Sequence, residues 1–523
     1  MTELNQDPRA EAGPRLGRTA LIVGLLNGLG MALGFARDLL IARYFGASAD
    51  TDAFMIAWTI PETVTPLIME GAMLYALVPL FARSLLRDGT LRPTVERSIA
   101  PVLAVLVVGA ALIGAAAPVL VGALAPGLAA SELAVQGFRI TSMTVVFLGL
   151  SGYLTAVLNT QYVFAVSASV FLAYNVGIIL TIVALQEQLG IISAAIGLVI
   201  GSALMVAIQV PSFVRRVGWP RPVFRFRRSL LTAVSPAVPV MAFMLIRHFQ
   251  TYVERFFGSF LDPGAISHLN YAQKVAQVPV TLAITVAVVS FPALARGANA
   301  SQLADLGRAV DRNLRIVVML VAPAVAFLAM FAGPVIALLF ERGAFTEADT
   351  AATSSVLSIY VLGRVAQALV TVAVLPMFVF SATIKTPIRA ASLGLVVTIV
   401  VDLVLMPFGT ATALAAGNSL GIAAMAWMLL HDLNKRALPV DLRALVRHLV
   451  ATILVAALAA GVGFVVATMW ISPGLFTILV GGLVTVVVYG SVGQWLDVVD
   501  LREALAPVTN RRANATKKGD SRE

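Results

Sequence analysis

No cysteine occurs among the 523 residues, which excludes disulfides, thiolate metal sites and a cysteine nucleophile. Charge is scarce as well. Asp, Glu, Lys and Arg make up 12% of the chain, against about 25% in a soluble domain. The sequence lacks a Walker A motif, a metal-ligand cluster and a nucleophile elbow, so nothing in it points to covalent chemistry. What fills the chain instead is apolar: 59% of residues are hydrophobic and the mean hydropathy is +0.92. The chain therefore reads as an integral membrane protein. Its length leaves room for roughly a dozen or more spans of about 20 residues and for no sizeable extramembrane domain.

Apolar runs between polar punctuation predict fourteen helices, near 18–45, 51–86, 98–124, 131–159, 163–187, 190–215, 228–259, 264–296, 305–340, 347–381, 387–407, 411–434, 444–470 and 473–497. The connections alternate in charge. One set carries clusters such as Arg83, Arg87, Arg92 and Arg97, or Arg215, Arg216, Arg221 and Arg225; in the other, Arg342 is the only basic residue. By the positive-inside rule the basic set and both termini face the cytoplasm, and the +10 net charge reflects topology and lipid headgroups rather than nucleic acid. The first 17 residues are polar and no small-residue cleavage site precedes Arg37, so the first helix is expected to be retained. PLFAR (79–83) and PALAR (292–296), offset by 213 residues, hint at two parallel six-helix repeats with a substrate site between them.

Charges inside spans usually face a cavity and serve a function. The first helix carries Asn27, Gly30, Gly34 and Arg37 at helical spacing, with Asp38 beside the arginine. The second carries Thr59, Thr63, Pro66 and Glu70; the seventh Arg247, Gln250 and Glu254, with Arg255 adjoining; the eighth Asn270, Lys274 and Gln277. Four polar faces predict a hydrated chamber, and its cations suit an anion such as a phosphate. Simpler readings stand beside this one. Arg37 and Asp38 could form a structural pair, although helix neighbours diverge by ~100°. Arg247 and Arg255 could neutralise Glu254, Lys274 could reach an interface, and Glu70 could serve packing. Asp402 lies in LVVTIVVDLVLM and must be protonated, paired or cation-bound. Thr398, Asn418 and Glu254 could join it in a Na⁺ or proton site, the alternative being a hydrogen-bonded structural aspartate.

The segments GFARDLLIARYFGASADTDAF (34–54), MEGA (69–72), VPLFAR (78–83), LNYAQKVAQVP (269–279), LLFERGAFTEADT (338–350) and IKTP (384–387) resemble the MurJ (MviN) family of lipid II flippases in the MOP exporter superfamily. The resemblance implies an all-α fold of fourteen transmembrane helices, with two six-helix lobes around a cationic cavity and two last helices grooved for a lipid tail. Arg37 matches the arginine of the GFARD motif, Asp52 the TDAF aspartate, and Lys274 a family arginine; Glu254 and Asp402 lie where some members bind sodium. The chain departs from the pattern at Met31, Thr65 and Pro66, where the family often has arginine.

The expected organisation is a cytoplasmic tail (1–17), a first lobe (18–216), a basic linker (217–227), a second lobe (228–434), a terminal helix pair (435–497) and a basic tail (498–523). The expected function is transfer of a polyprenyl-pyrophosphate-linked saccharide, foremost lipid II, to the outer leaflet of the bacterial cytoplasmic membrane by alternating access. Membrane lipids and envelope-synthesis proteins are the expected partners, with Na⁺ or H⁺ as coupling ion and no other cofactor. A flippase for another lipid-linked glycan is the runner-up. A polyprenyl-dependent glycosyltransferase fits less well because it needs long outer loops, a drug exporter would need an acidic chamber, and a non-transporting scaffold is the remaining rival.

Overall fold

The computed structural model describes residues 12–68, 76–221, 223, 238–281, 283–284, 303–380, 385–435, 441–470, 474–496 and 498. Among these, every regular element is a helix, the form in which a bilayer-embedded segment satisfies its own backbone polar groups. In chain order the helices are α1 (Ala12–Phe45), α2 (Ala49–Pro66), α3 (Val78–Asp88), α4 (Arg92–Ala115), α5 (Ala117–Leu124), α6 (Ser131–Ser142), α7 (Thr144–Thr160), α8 (Phe164–Ala168), α9 (Val170–Leu189) and α10 (Ile192–Val217). They continue with α11 (Val238–Gly258), α12 (Ala265–Ala276), α13 (Leu303–Met330), α14 (Ala332–Phe340), α15 (Glu347–Tyr360), α16 (Gly363–Phe380), α17 (Lys385–Leu405), α18 (Ala411–Lys435), α19 (Leu442–Trp470) and α20 (Leu475–Trp495). Residue contacts divide the chain into two compact units, Met1–Ser267 with Arg342–Phe345, and His268–Glu341 with Thr346–Glu523. The first unit takes in α11, which the sequence reading placed in the second lobe.

Among the described residues ten helices are long and apolar enough to cross a membrane, or eleven if α15 and the first part of α16, bent by 44°, form one span. Three of the fourteen expected from sequence are not among these eleven. Helix α2 carries Asp50, Asp52 and Glu62, and α11 carries Arg247, Glu254 and Arg255, so both are too charged to count by composition, and the span expected at 264–296 is described only in part, α12 having 12 residues. Glu70, the MEGA segment and PALAR lie outside the described residues.

Small residues bring the helices of the first unit together. A Cβ on Gly177 would lie 2.7 Å from the Cα of Gly201, so α9 and α10 meet backbone to backbone. Proline opens a gap in the hydrogen-bond ladder of α2: Pro61 has no N–H to give Ala57, and Thr141 Oγ1 from α6 donates to that carbonyl at 2.8 Å. The loop at Arg342–Phe345 belongs to this unit because Ala344 N donates to Arg43 O at 2.8 Å. Gly46 (φ 64°) faces Ala344 O, which a Cβ would approach to 2.5 Å.

The second unit uses the same devices. A Cβ on Gly394 would come within 2.8 Å of Gly421 O, which seats α17 against α18. In α13, Pro323 deprives Met319 O of its helical donor, and Tyr489 Oη from α20 supplies the bond at 2.8 Å. Around this contact Met319, Ala322, Val455, Ala456 and Ala459 form an apolar core that ties α13 to the last helix pair. Helix α15 begins with a capping box in which Thr346 and Asp349 satisfy each other's backbone N–H.

Candidate functional site

Arg37 and Asp38 are 7% and 3% exposed. They do form a pair: Nε and Nη2 of Arg37 donate to Asp38 Oδ1 at 3.0 and 2.8 Å. Neighbouring Cβ vectors diverge, but the arginine stem is long enough to fold its guanidinium back. Arg37 Nη1 donates to Asn175 Oδ1 of α9 at 2.9 Å, and the guanidinium lies 4.2 Å from the centroid of the Trp58 ring. Three of its five N–H donors are thus engaged in these bonds and the cation is held rigid.

Asn175 also corrects the reading of the α1 stripe. Its amide nitrogen donates to Gly30 O at 3.0 Å, and a Cβ on Gly34 would lie 3.5 Å from it. Gly30 and Gly34 therefore form a seam with α9 rather than a wetted wall, because small residues on a helix are what let a second helix approach. Asn27, one turn earlier, is exposed, as is Met31.

A second ion pair joins α2 to α11. Arg255, 3% exposed, donates through Nη2 to Glu62 Oε2 and through Nη1 to Thr59 Oγ1, each at 2.5 Å. One turn along each helix, the Tyr252 and Thr63 hydroxyls are also hydrogen-bonded. Arg255 of α11 therefore answers to Glu62 of α2. Glu254 is buried, and Arg247 is exposed with its guanidinium 5.9 Å from the Phe243 ring centroid. The net positive charge expected of the buried site is consequently smaller in this unit, since each of these buried arginines carries its own carboxylate. Burying a guanidinium is tolerable only when it is paired and hydrogen-bonded.

Asp52 has a structural bond set. Oδ2 accepts from Gly264 N at 2.7 Å, and Oδ1 accepts from Ser267 N at 2.7 Å and Ser267 Oγ at 2.6 Å. It clamps the start of α2 to the start of α12.

In the second unit Asn270, Lys274 and Gln277 share one face of α12 and its last turn, with Asn270 buried and the other two half-buried. Asp402 and Thr398 are fully buried on α17, facing α18: a Cβ on Gly417 would overlap Asp402 Oδ1, and one on Gly421 would overlap Thr398 Oγ1. Asn418 is 5% exposed, and its Oδ1 has no hydrogen-bond partner among the described residues. A carboxylate, a hydroxyl and an open amide oxygen are hard donors suited to a monovalent cation. No group of three or more His, Asp or Glu able to hold a metal occurs among the described residues.

Sequence reasoning missed Glu62, Asn175 and Arg364. Arg364 is 3% exposed, stacks 4.3 Å from the Tyr360 ring centroid and bonds Gln367. Its position in the apolar run VLGRVAQALV was signal enough, by the same rule that singled out Arg37.

Two units of closely packed helices with charges buried inside define a polytopic helical membrane protein of the transporter class. A family model described as lipid II flippase MurJ matches residues 41–485, and the chain belongs to that family. A lipid II flippase MurJ from Burkholderia cenocepacia is 29% identical over 439 residues, covering 80% of this chain and 84% of the relative. A probable lipid II flippase MurJ from Vibrio cholerae is 29% identical over 434 residues, covering 78% and 80%. The solved structure of a lipid II flippase MurJ in an inward closed conformation has the same fold, with a TM-score of 0.75 at 23% identity over 91% of this chain and 99% of that one. An inward-facing multidrug MATE transporter of the MOP superfamily shares the fold more distantly, with a TM-score of 0.66 at 12% identity over 82% and 99%.

Proposed function

We infer that this chain flips lipid II from the inner to the outer leaflet of the bacterial cytoplasmic membrane, and that it is a transporter, not an enzyme. Membership of the MurJ family, matched over most of the chain, carries this reading. It leaves the runner-up glycans and the glycosyltransferase without support. The step needs only shelter for a pyrophosphate head while the prenyl tail stays in lipid. Arg37 and Arg255 would line that shelter. Each is anchored through some of its N–H donors, and those left can meet phosphate oxygens without reorganising the guanidinium.

Further assignments belong to the same proposal. Lys274, Asn270 and Gln277 also handle the headgroup, fourteen helices cross the membrane, and both termini are cytoplasmic. The exposed apolar faces of α19 and α20, with Leu454, Leu458, Phe476 and Leu483, carry the prenyl tail. Na⁺ is the coupling ion; Asp402, Thr398 and Asn418 would hold it and supply the charge compensation that biases one conformation over another. The decisive experiment is depletion of the protein followed by identification of the lipid-linked precursor that accumulates in the inner leaflet. Lipid II is expected. An unchanged lipid II pool with another glycolipid rising would overturn the substrate.

A further inference from the structure

We propose that the cleft between α4, α7 and α10 of the first unit is a binding site for an anionic phospholipid of the cytoplasmic leaflet, with an acyl chain between the helices and the phosphate on the arginines at its mouth.

The cleft measures about 560 Å³ and no residue lining it is charged, a size within the ~300–1,000 Å³ of small-molecule sites. Leu103 and Val107 of α4, Leu154 of α7, and Val210 and Phe213 of α10 form its walls, and Trp219 closes one end. Its floor is rigid. Phe81, Val95, Tyr153, Val157 and Val217 form a buried core beneath it, in which the Phe81 and Tyr153 rings meet edge to face. None of the lining residues belongs to the Arg37 or Arg255 pairs, so the site is independent of the substrate reading.

The mouth supplies the charge complementarity. Leu103 and Val107 lie on the face of α4 that continues, one turn at a time, through Ile99 and Glu96 to Arg92. Arg92 Nε donates to Glu96 Oε1 at 3.0 Å, Arg221 N donates to the same oxygen at 3.3 Å, and Val223 N donates to Glu96 O at 2.9 Å. These bonds fold the segment after α10 over the start of α4 and fix the rim. Arg92 and Arg221 against Glu96 leave the rim cationic. Trp219, 72% exposed beside them, is the residue type that settles at headgroup depth. An acyl-lined cleft with a cationic, tryptophan-marked rim on the positive-inside face matches a phosphodiester lipid with a net negative head.

The test uses the full-length protein in phosphatidylcholine vesicles that also contain phosphatidylglycerol or phosphatidylcholine with brominated acyl chains. The difference in quenching between wild type and Trp219→Phe isolates Trp219 among the five tryptophans. Half-quenching should need roughly tenfold less brominated phosphatidylglycerol than brominated phosphatidylcholine, as expected for a small cationic surplus at an anionic headgroup. The double variant Arg92→Gln, Arg221→Gln should erase that preference and keep quenching by both lipids, whereas Ala104→Phe, filling the cleft, should weaken both. If the double variant fails to insert, Arg221→Gln alone should narrow the preference about threefold. Equal half-quenching by the two lipids in the wild type, or a preference that survives the charge variants, would sink the site. Displacement of the brominated lipid by a polyprenyl phosphate more readily than by unlabelled phosphatidylglycerol would reassign the cleft to the substrate tail.

Discussion

Each unit buries charge, and the two do so differently. In the first, Arg37 lies on Asp38 and Arg255 on Glu62, with Asn175, Thr59 and Trp58 fixing the guanidinium planes. In the second, Asp402 and Thr398 of α17 are enclosed against Gly417 and Gly421 of α18. A guanidinium that brings its own counter-charge is a fixed tool, oriented before any ligand arrives. On the proposed reading, a buried carboxylate instead suits a counter-ion that comes and goes, so that the first unit grips and the second sets the timing.

The largest expected break is charge reversal of the fixed tool. Arg37→Glu should abolish complementation of a depleted strain while the protein still reaches the membrane; growth at the wild-type rate would remove Arg37 from the site. Next in size, Glu62→Ala should cost about 3–5 kcal/mol, the usual penalty for leaving a buried charge without its partner. Thermal unfolding in detergent measures it. The swap Glu62→Arg with Arg255→Glu sharpens the point, because stability should largely return while flipping does not.

In the second unit, NaCl should raise the melting temperature above that in choline chloride. The gain is about 2.7 kcal/mol at a hundredfold excess over Kd, and Asp402→Asn should erase it. Gly417→Ala should act on the same property by displacing the Asp402 carboxylate, at an overpacking cost of about 1–3 kcal/mol. An Asp402→Asn protein that keeps its sodium response would end the comparison. The smallest effects belong to the two bonds that fill proline gaps. Thr141→Val and Tyr489→Phe should each cost around 0.6 kcal/mol, the average for hydrogen bonds between membrane helices, and neither should change the sodium response.

Burial of Arg37, Glu254 and Asp402 was legible in the sequence, since a charge inside a long apolar run has few places to go. The partners were not. Glu62 and Arg255 are 193 residues apart and Arg37 and Asn175 are 138 apart. Periodicity says which face a residue occupies but not which helix that face meets. The glycines of α1 show the same limit: Gly30 and Gly34 were recognised as a stripe, yet a seam and a wet wall call for the same small residues, and only the packing of Asn175 tells them apart. Asp52 was recognised from its motif as a site residue, whereas its oxygens accept from Gly264 and Ser267, a turn that composition alone does not connect to it.

The bond from Tyr489 to Met319 O in α13 reaches beyond stability. Since the final helix supplies the hydroxyl that a proline in the last third of α13 leaves wanting, the terminal pair is not a detachable accessory. A chain shortened before Leu475 should insert with a bare carbonyl in hydrocarbon, and grafting that pair onto an unrelated bundle would carry over the exposed apolar surface but not the stitch that holds it.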